Sequence, residues 1–290
     1  MTKNEELNKR ILAFQQNEIT EYHIYSRLAD STKDSENRKI LKDIADDEKR
    51  HYDVFKAYTK TDMKPRKGKI FFYYWISRLF GLTFGIKLME KGEENAQKNY
   101  GEIVEAVPEA ARVIEDEDAH EKALIGLLNE ELLNYIGSIV LGLNDALVEL
   151  TGALAGLTFA LQNTKLIALT GLITGIAASF SMAASEYLST KSEGESDNAL
   201  RSAVYTGIAY IVTVILLILP FLLIPNYFIC LGMTLFVAIS IIFCFNYYIS
   251  VAKDYDFKKR FLEMAGLSLG VSLLTFGIGV VIRMTIGIEI

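Results

Sequence analysis

Cysteine is nearly absent from this sequence: Cys230 and Cys244 are the only two, and they share one apolar run with no partner at metal-binding spacing. That excludes a disulfide framework and a cysteine-ligated zinc site, and it leaves two thiols expected to be buried in an apolar helix. A basic excess is also missing. The formal net charge is −6, so there is no basic surface of the kind nucleic acid requires. The opening residues MTKNEELNKR have no apolar core, and no cleavable signal peptide is expected. Histidine is scarce, with three in 290 residues, so the setting of each one carries information.

What is present divides the chain in two. Up to about residue 132 charges of both signs are dense; from Leu133 onward long apolar runs dominate. The expected domains are therefore 1–132 and 133–290. A membrane-crossing helix needs about 20 mostly apolar residues, and five segments qualify: 133–161, 166–188, 199–224, 227–251 and 262–286. Lys and Arg favour cytosolic loops. The fourth-to-fifth connection carries Lys253, Lys258, Lys259 and Arg260, and the second-to-third carries Lys191 and Arg201. The opposite connections offer Lys165 and the Pro225–Asn226 turn. The N-terminal domain is thus expected in the cytosol and the C-terminus outside.

Two of the three histidines sit in Glu-x-x-His motifs: Glu48 with His51 in DDEKRH, and Glu117 with His120 in EDEDAH. Residues three apart share a helix face, so each motif aims a carboxylate and an imidazole at one point. Two such motifs plus one Glu from each of two other helices make the di-iron or di-manganese site of a four-helix bundle. Glu18 and Glu93 supply the missing pair. The midpoint of Glu18 and Glu48 is residue 33, in the turn-rich DSTKDS, and that of Glu93 and Glu117 is residue 105, just before Pro108. In each antiparallel hairpin the two ligands return to the same height. Glu90, one turn before Glu93, is an alternate ligand, and Glu21 and Glu94 are further candidates. Tyr25 and Tyr100, seven residues after Glu18 and Glu93, are either core aromatics or hydrogen-bond donors to ligand carboxylates. His23 has no motif partner and reads as structural or exposed. Carboxylates and imidazoles without thiolates suit iron or manganese.

One more apolar stretch, 70–89, opens IFFYYWISRLFG and is interrupted by Arg78 and Lys87. Crossing the membrane there would put the two halves of the metal site on opposite faces. It reads instead as an amphipathic segment lying on the bilayer or on the bundle.

Charged groups inside a membrane are costly and point to function. The first span, in GLNDALVELTGALAGL, places Asp145 and Glu149 four residues apart; the second ends SFSMAASEYLSTKSE, with Met182 and Glu186 likewise four apart. Three acids and a thioether suit a path for a divalent cation that exchanges with protons. The pairs Gly152/Gly156, Gly171/Gly175 and Gly266/Gly270 allow close helix contacts.

On these motifs residues 133–290 resemble the vacuolar iron transporter family, whose first span carries a GLNDGLV-like motif and whose second ends in SMAAGEYLS. The N-terminal part resembles rubrerythrin and other ferritin-like proteins, and the fusion resembles the membrane-bound ferritin, or erythrin–vacuolar iron transporter, group. The resemblance implies an all-α chain, a ferritin-like four-helix bundle followed by a five-helix transmembrane domain. It also implies a homodimeric Fe(II) or Mn(II)–proton antiporter moving metal out of the cytosol. Ligand roles would fall on Glu18, Glu48, His51, Glu93, Glu117 and His120, and transport roles on Asp145, Met182 and Glu186. Ala146 and Ser185 stand where the family motifs often have glycine. Only about ten residues, including Glu193, Glu195 and Asp197, fill the gap where the family often has a long Glu-rich insertion.

The leading expectation is a metal exporter in which Asp145 and Glu149 bind the cation and Met182 and Glu186 form its cytosolic entrance. The alternatives are a membrane-anchored ferroxidase or rubrerythrin-like peroxide reductase without transport, and a bundle that senses metal and gates the pore. A prokaryotic plasma membrane is the simpler location, a vacuolar membrane the other.

Overall fold

The computed structural model describes residues 3–97, 103, 104, 106–126 and 135–286. The side chains of Glu90, Glu93 and Glu94, and all of Tyr100, lie outside the described residues. The described residues are all-α. They fall into two compact units, Met1–Glu130 and Glu131–Ile290.

The first unit contains α1 (Lys3–Ser31), α2 (Ser35–Thr59), α3 (Lys67–Phe80), α4 (Leu82–Gln97) and α5 (Ala110–Gly126). Residue 33 falls in the α1–α2 turn, and Asp34 caps α2 by accepting from the backbone N–H groups of Glu36 and Asn37. Lys60 ends α2 in the left-handed conformation. The chain then returns along α1. Gln15 Nε2 donates to the Thr61 carbonyl (2.8 Å), Gln16 Nε2 to that of Lys64 (3.1 Å), and the Arg66 N–H to Thr20 Oγ1 (3.0 Å).

Two apolar clusters hold this unit together. One gathers Ile24, Tyr25, Leu28, Leu41, Ile44, Ile86, Met89 and Leu124; the other gathers Ile11, Phe14, Phe55, Ile103, Val107 and Val113. On both α1 and α2 the buried polar residues Glu18, Glu48 and His51 fall between the two clusters in sequence. Apolar packing above and below therefore fixes the height at which these side chains meet.

Stretch 70–89 is two helices. Gly81, at φ +98°, ends α3 and lets α4 start at Leu82. The helices then cross at Ser77 and Gly85, so closely that a Cβ on Gly85 would lie 1.9 Å from Ser77 Oγ.

The second unit is α6 (Ile136–Leu161), α7 (Thr164–Ser192), α8 (Ser196–Leu223), α9 (Tyr227–Ala252) and α10 (Phe257–Ile286). Among the described residues these five helices are long and apolar enough to cross a membrane. Asn163 and Asn226 cap α7 and α9 by accepting two backbone N–H groups each. These caps and the polar ends carry the helices a turn or more beyond several of the apolar runs. The first and fifth spans run parallel: Ser268 Oγ donates to the Leu147 carbonyl (3.1 Å), Thr275 Oγ1 to that of Gly152 (2.6 Å) and Arg283 to that of Phe159 (3.4 Å).

Small residues set the helix spacing. A Cβ on Gly279 would sit 2.4 Å from the Gly156 carbonyl oxygen, and one on Gly142 would sit 2.3 Å from that of Thr206. Gly171 and Gly175 admit Leu154, Ile218 and Val214, whereas Gly266 and Gly270 meet nothing within 4 Å. That third pair lies on an open helix face, where spacing alone imposes no contact. Cys230 is buried as expected; Cys244 is exposed, because it falls on an uncovered face of α9.

Candidate metal centre

The two Glu-x-x-His motifs converge. Glu18 comes from α1, Glu48 and His51 from α2, and Glu117 and His120 from α5. One ligand atom from each of Glu18, Glu48, His51 and Glu117 lies within 4.8 Å of the others. His51 Nδ1 is 3.4 Å from Glu48 Oε2, 3.5 Å from Glu18 Oε2 and 3.7 Å from Glu117 Oε1. His120 Nδ1 is 3.3 Å from the other Glu48 oxygen, Oε1, and the two rings lie 5.9 Å apart. Glu48 therefore faces both imidazoles, one oxygen to each. Glu93 and the alternate Glu90 belong to α4, but their side chains fall outside the described residues. Glu21 is buried one turn beyond Glu18. Tyr25 is buried in the apolar cluster, and His23 is exposed beside the Tyr22 ring.

Whether these residues fit a cation can be judged from their unmet bonding. Glu18 Oε2, Glu48 Oε2, His51 Nδ1 and His120 Nδ1 are all buried without a hydrogen-bond partner. Four such atoms would be costly to bury in an ordinary core. All four are lone-pair donors aimed at a common region, which is what a cation requires.

The outer nitrogens explain how the rings are held. His51 Nε2–H donates to Asp116 Oδ2 (3.2 Å), and His120 Nε2–H donates to Asp47 Oδ2 (3.0 Å). A carboxylate only accepts, so each pair fixes the tautomer with Nδ1 facing inward. The clasp is reciprocal, since each histidine is held by the aspartate of the other motif. Arg50 pairs with Asp47 and lies 3.9 Å from Asp116 Oδ2. Sequence reasoning passed over both aspartates, although the signal was present: each motif is Asp-Glu-x-x-His.

Protonation follows from the same crowding. Burial first, then the charges of Glu48, Glu21 and Glu117, push the Glu18 carboxyl well above its usual range. Burial and the charges of Glu48 and Glu21 do the same to Glu117. Burial also opposes ionisation of Glu48, but His120 and His51 outweigh it and hold that carboxyl at about 2. Burial would lower the histidines, yet Glu48 and the partnered aspartates raise His51 to about 8 and His120 to about 9. Protons thus occupy the place where a cation would sit, and a bound metal would displace them.

Residues 1–59 match the rubrerythrin family and residues 136–200 match the VIT family. The chain joins a rubrerythrin-like segment to a VIT-like segment. No curated protein matches it. The rubrerythrin match covers α1 and α2, and hence Glu18, Glu48 and His51; the second motif lies beyond it. The VIT match covers α6 and α7 with Asp145, Glu149, Met182 and Glu186. With five candidate spans, this is an integral multi-pass membrane protein.

In the VIT-like segment the acids are arranged differently. Glu149 accepts from the buried Tyr210 hydroxyl (2.9 Å) and lines a cavity of about 400 Å³ with Thr170, Thr174 and Thr275. Asp145 is half-buried one turn earlier on α6. Glu186 accepts from Ser138 Oγ (2.6 Å), tying the C-terminal part of α7 to the start of α6, and Met182 packs against the apolar core. Among the described residues the three acids Asp145, Glu149 and Glu186 do not gather into a cluster like that of the first unit. Neither Tyr210 nor Ser138 was singled out from the sequence; each is an ordinary residue until a helix neighbour is known.

Proposed function

We propose that this protein is a divalent-metal exporter. Iron(II), with manganese(II) the second candidate cargo, leaves the cytosol through the five-span unit in exchange for protons. The first unit holds two metal ions and with them collects, oxidises or senses the same element. The observation that carries this reading is the pairing of four unpartnered, buried ligand atoms in the rubrerythrin-like unit with acids set inside VIT-family spans.

Glu18, Glu48, His51, Glu117 and His120 would hold the resident ions, with Glu93 as the sixth ligand. When bound, a pair of iron ions supplies one-electron exchange with dioxygen or peroxide. The protein's part would be to fix both imidazoles through Asp47 and Asp116, to offer the Glu48 carboxylate between them, and to give up protons from the histidines as metal enters. In the spans, Asp145 and Glu149 would alternate between cation and proton, with Met182 and Glu186 at the cytosolic entrance. Glu149 is exposed on a single copy. A carboxylate turned toward lipid costs about 2.5–3.5 kcal/mol or more, which supports a homodimer covering it. The excess of Lys and Arg at the ends bearing Lys191 and Lys258 over the ends bearing Lys165 and Arg283 supports a cytosolic first unit. A prokaryotic plasma membrane fits, as does a vacuolar one. The three-residue connection from α7 to α8, Glu193 to Glu195, leaves little room there for a metal collector, so that task would pass to the first unit.

The test is a proteoliposome assay following Fe(II), Mn(II) and protons together. Metal flux should be matched by opposing proton movement, and Asp145→Asn should abolish it while the resident metal stays bound. Normal flux in that variant refutes the assignment. The buried di-metal cluster also favours a second reading, a membrane-anchored ferroxidase or peroxide reductase. That reading requires oxidant consumption without vectorial flux. A sensor would show itself through Glu48→Ala, which would shift the metal threshold of transport and leave maximal flux intact.

A further inference from the structure

Residues 63–89 carry six basic side chains (Lys64, Arg66, Lys67, Lys69, Arg78 and Lys87) and no Asp or Glu, in a chain whose net charge is −6. Helix α3 lies within this segment and has two unlike faces. Its inner face is committed. Ile70, Tyr73 and Tyr74 pack against the apolar cluster of the first unit, and Ser77 is buried at the crossing with Gly85. The Arg27 guanidinium lies 4.1 Å over the Tyr74 ring. Its outer face is bare and apolar: Phe71 is 62%, Phe72 51%, Trp75 46% and Leu79 71% exposed. At about 100° per residue these four fall on one side of the helix, and Lys67 and Arg78 border them.

We propose that this outer face docks on an anionic lipid surface, with Phe71, Phe72, Trp75 and Leu79 entering the interface and the basic run pairing with headgroups. An apolar stripe edged by Lys and Arg is the pattern of a helix lying in a membrane interface, and aromatic rings favour that depth. Basic residues beside such a stripe add attraction to acidic lipid. The partner is at hand, because the same chain spans a bilayer. The bundle cannot cover this face, since α3 is held to it by the opposite side. A second copy is a poor occupant: a two-fold contact would set this basic run against its own image, and the segment holds no acid to offset the repulsion.

Trp75 is the only tryptophan of the chain, so its fluorescence reports on this face alone. The full-length protein is reconstituted into phosphatidylglycerol-containing vesicles and into neutral phosphatidylcholine vesicles, each with and without brominated acyl chains. The proposal expects Trp75 emission to be blue-shifted and quenched by brominated lipid, several-fold more strongly in the anionic vesicles. Exchanging Lys64, Arg66, Lys67 and Lys69 together for Gln should erase that preference with helix content unchanged. Because the Arg66 guanidinium also donates to Gln16 Oε1 (2.9 Å), Lys67→Gln with Lys69→Gln, which leaves that bond in place, serves as a milder second variant expected to lose part of the preference. Trp75 open to aqueous acrylamide and untouched by brominated lipid overturns the proposal, as does equal quenching in both lipids. A Trp75 shielded from both quenchers overturns it too, and points to a protein occupant such as a second copy.

Discussion

Both units set carboxylates in apolar surroundings, and they treat them in opposite ways. In the first, Glu18, Glu48 and His51 are buried, and several of their atoms are left unpartnered around one point. In the second, Glu149 and Glu186 each accept a hydrogen bond from a neighbouring helix, and no comparable cluster forms among the described residues. Unmet lone pairs fixed by packing favour a cation that stays. Acids already satisfied by Tyr210 and Ser138 bind less tightly, which suits a cation that must enter and leave. Under the proposed function the same residue type would serve retention in one unit and passage in the other, and substitutions should separate the two.

The largest effect is expected at Glu48. It faces both histidines, so Glu48→Gln should cost both resident ions, whereas Glu18→Gln, at one end of the cluster, should cost one. Metal analysis of the purified full-length protein distinguishes them. Two ions retained in Glu48→Gln would dismiss the shared role given to Glu48. Next come the orienting aspartates. Asp116→Ala releases His51 and Asp47→Ala releases His120, and each should weaken metal affinity about 10–100-fold. Chelator competition measures this, and unchanged affinity would reduce the clasp to a surface contact.

The contrast also bears on what could be read before the structure. Glu-x-x-His twice, with Glu18 at a matching height, was legible because helical period and hairpin length are local arithmetic. The five spans were legible because length and apolarity suffice. Asp47 and Asp116 were not, although adjacent to the motifs, because they act across the bundle on the other motif's histidine. Tyr210 likewise gains its meaning only when α8 packs against α6. Gly266 and Gly270 share the spacing of Gly152 and Gly156, yet only the latter pair meets a helix. Spacing marks what could touch, and the third dimension decides what does.

Without metal, the first unit should lose stability as pH rises. The histidine values in the folded protein, about 8 and about 9, lie above the ordinary 6.5. Their contribution is therefore full below pH 6.5 and is lost as pH rises through about 8 for His51 and about 9 for His120. Glu18 and Glu117, also raised, act in the same direction. Glu48, held at about 2, is ionised throughout this window and its contribution fails only in acid. Metal reverses the trend, since deprotonation frees its ligands. Chelator-treated protein should melt several degrees lower at pH 9 than at pH 6, and metal-loaded protein should not. Equal melting of the chelated form at both values would remove the coupling.

The smallest effect concerns packing in the membrane unit and sets two glycines of one helix against each other. Gly279→Ala would place a methyl 2.4 Å from the Gly156 carbonyl oxygen, which is backbone and cannot swing away. The α6–α10 crossing must then open, at a cost of about 1–3 kcal/mol. Gly270→Ala meets nothing within 4 Å, and the gain in helix propensity, about 0.5–1 kcal/mol, should leave it neutral or slightly more stable. Thermal melting in detergent reads both. Equal stability of the two variants would mean that α6 and α10 tolerate a wider spacing than the glycine crossing implies.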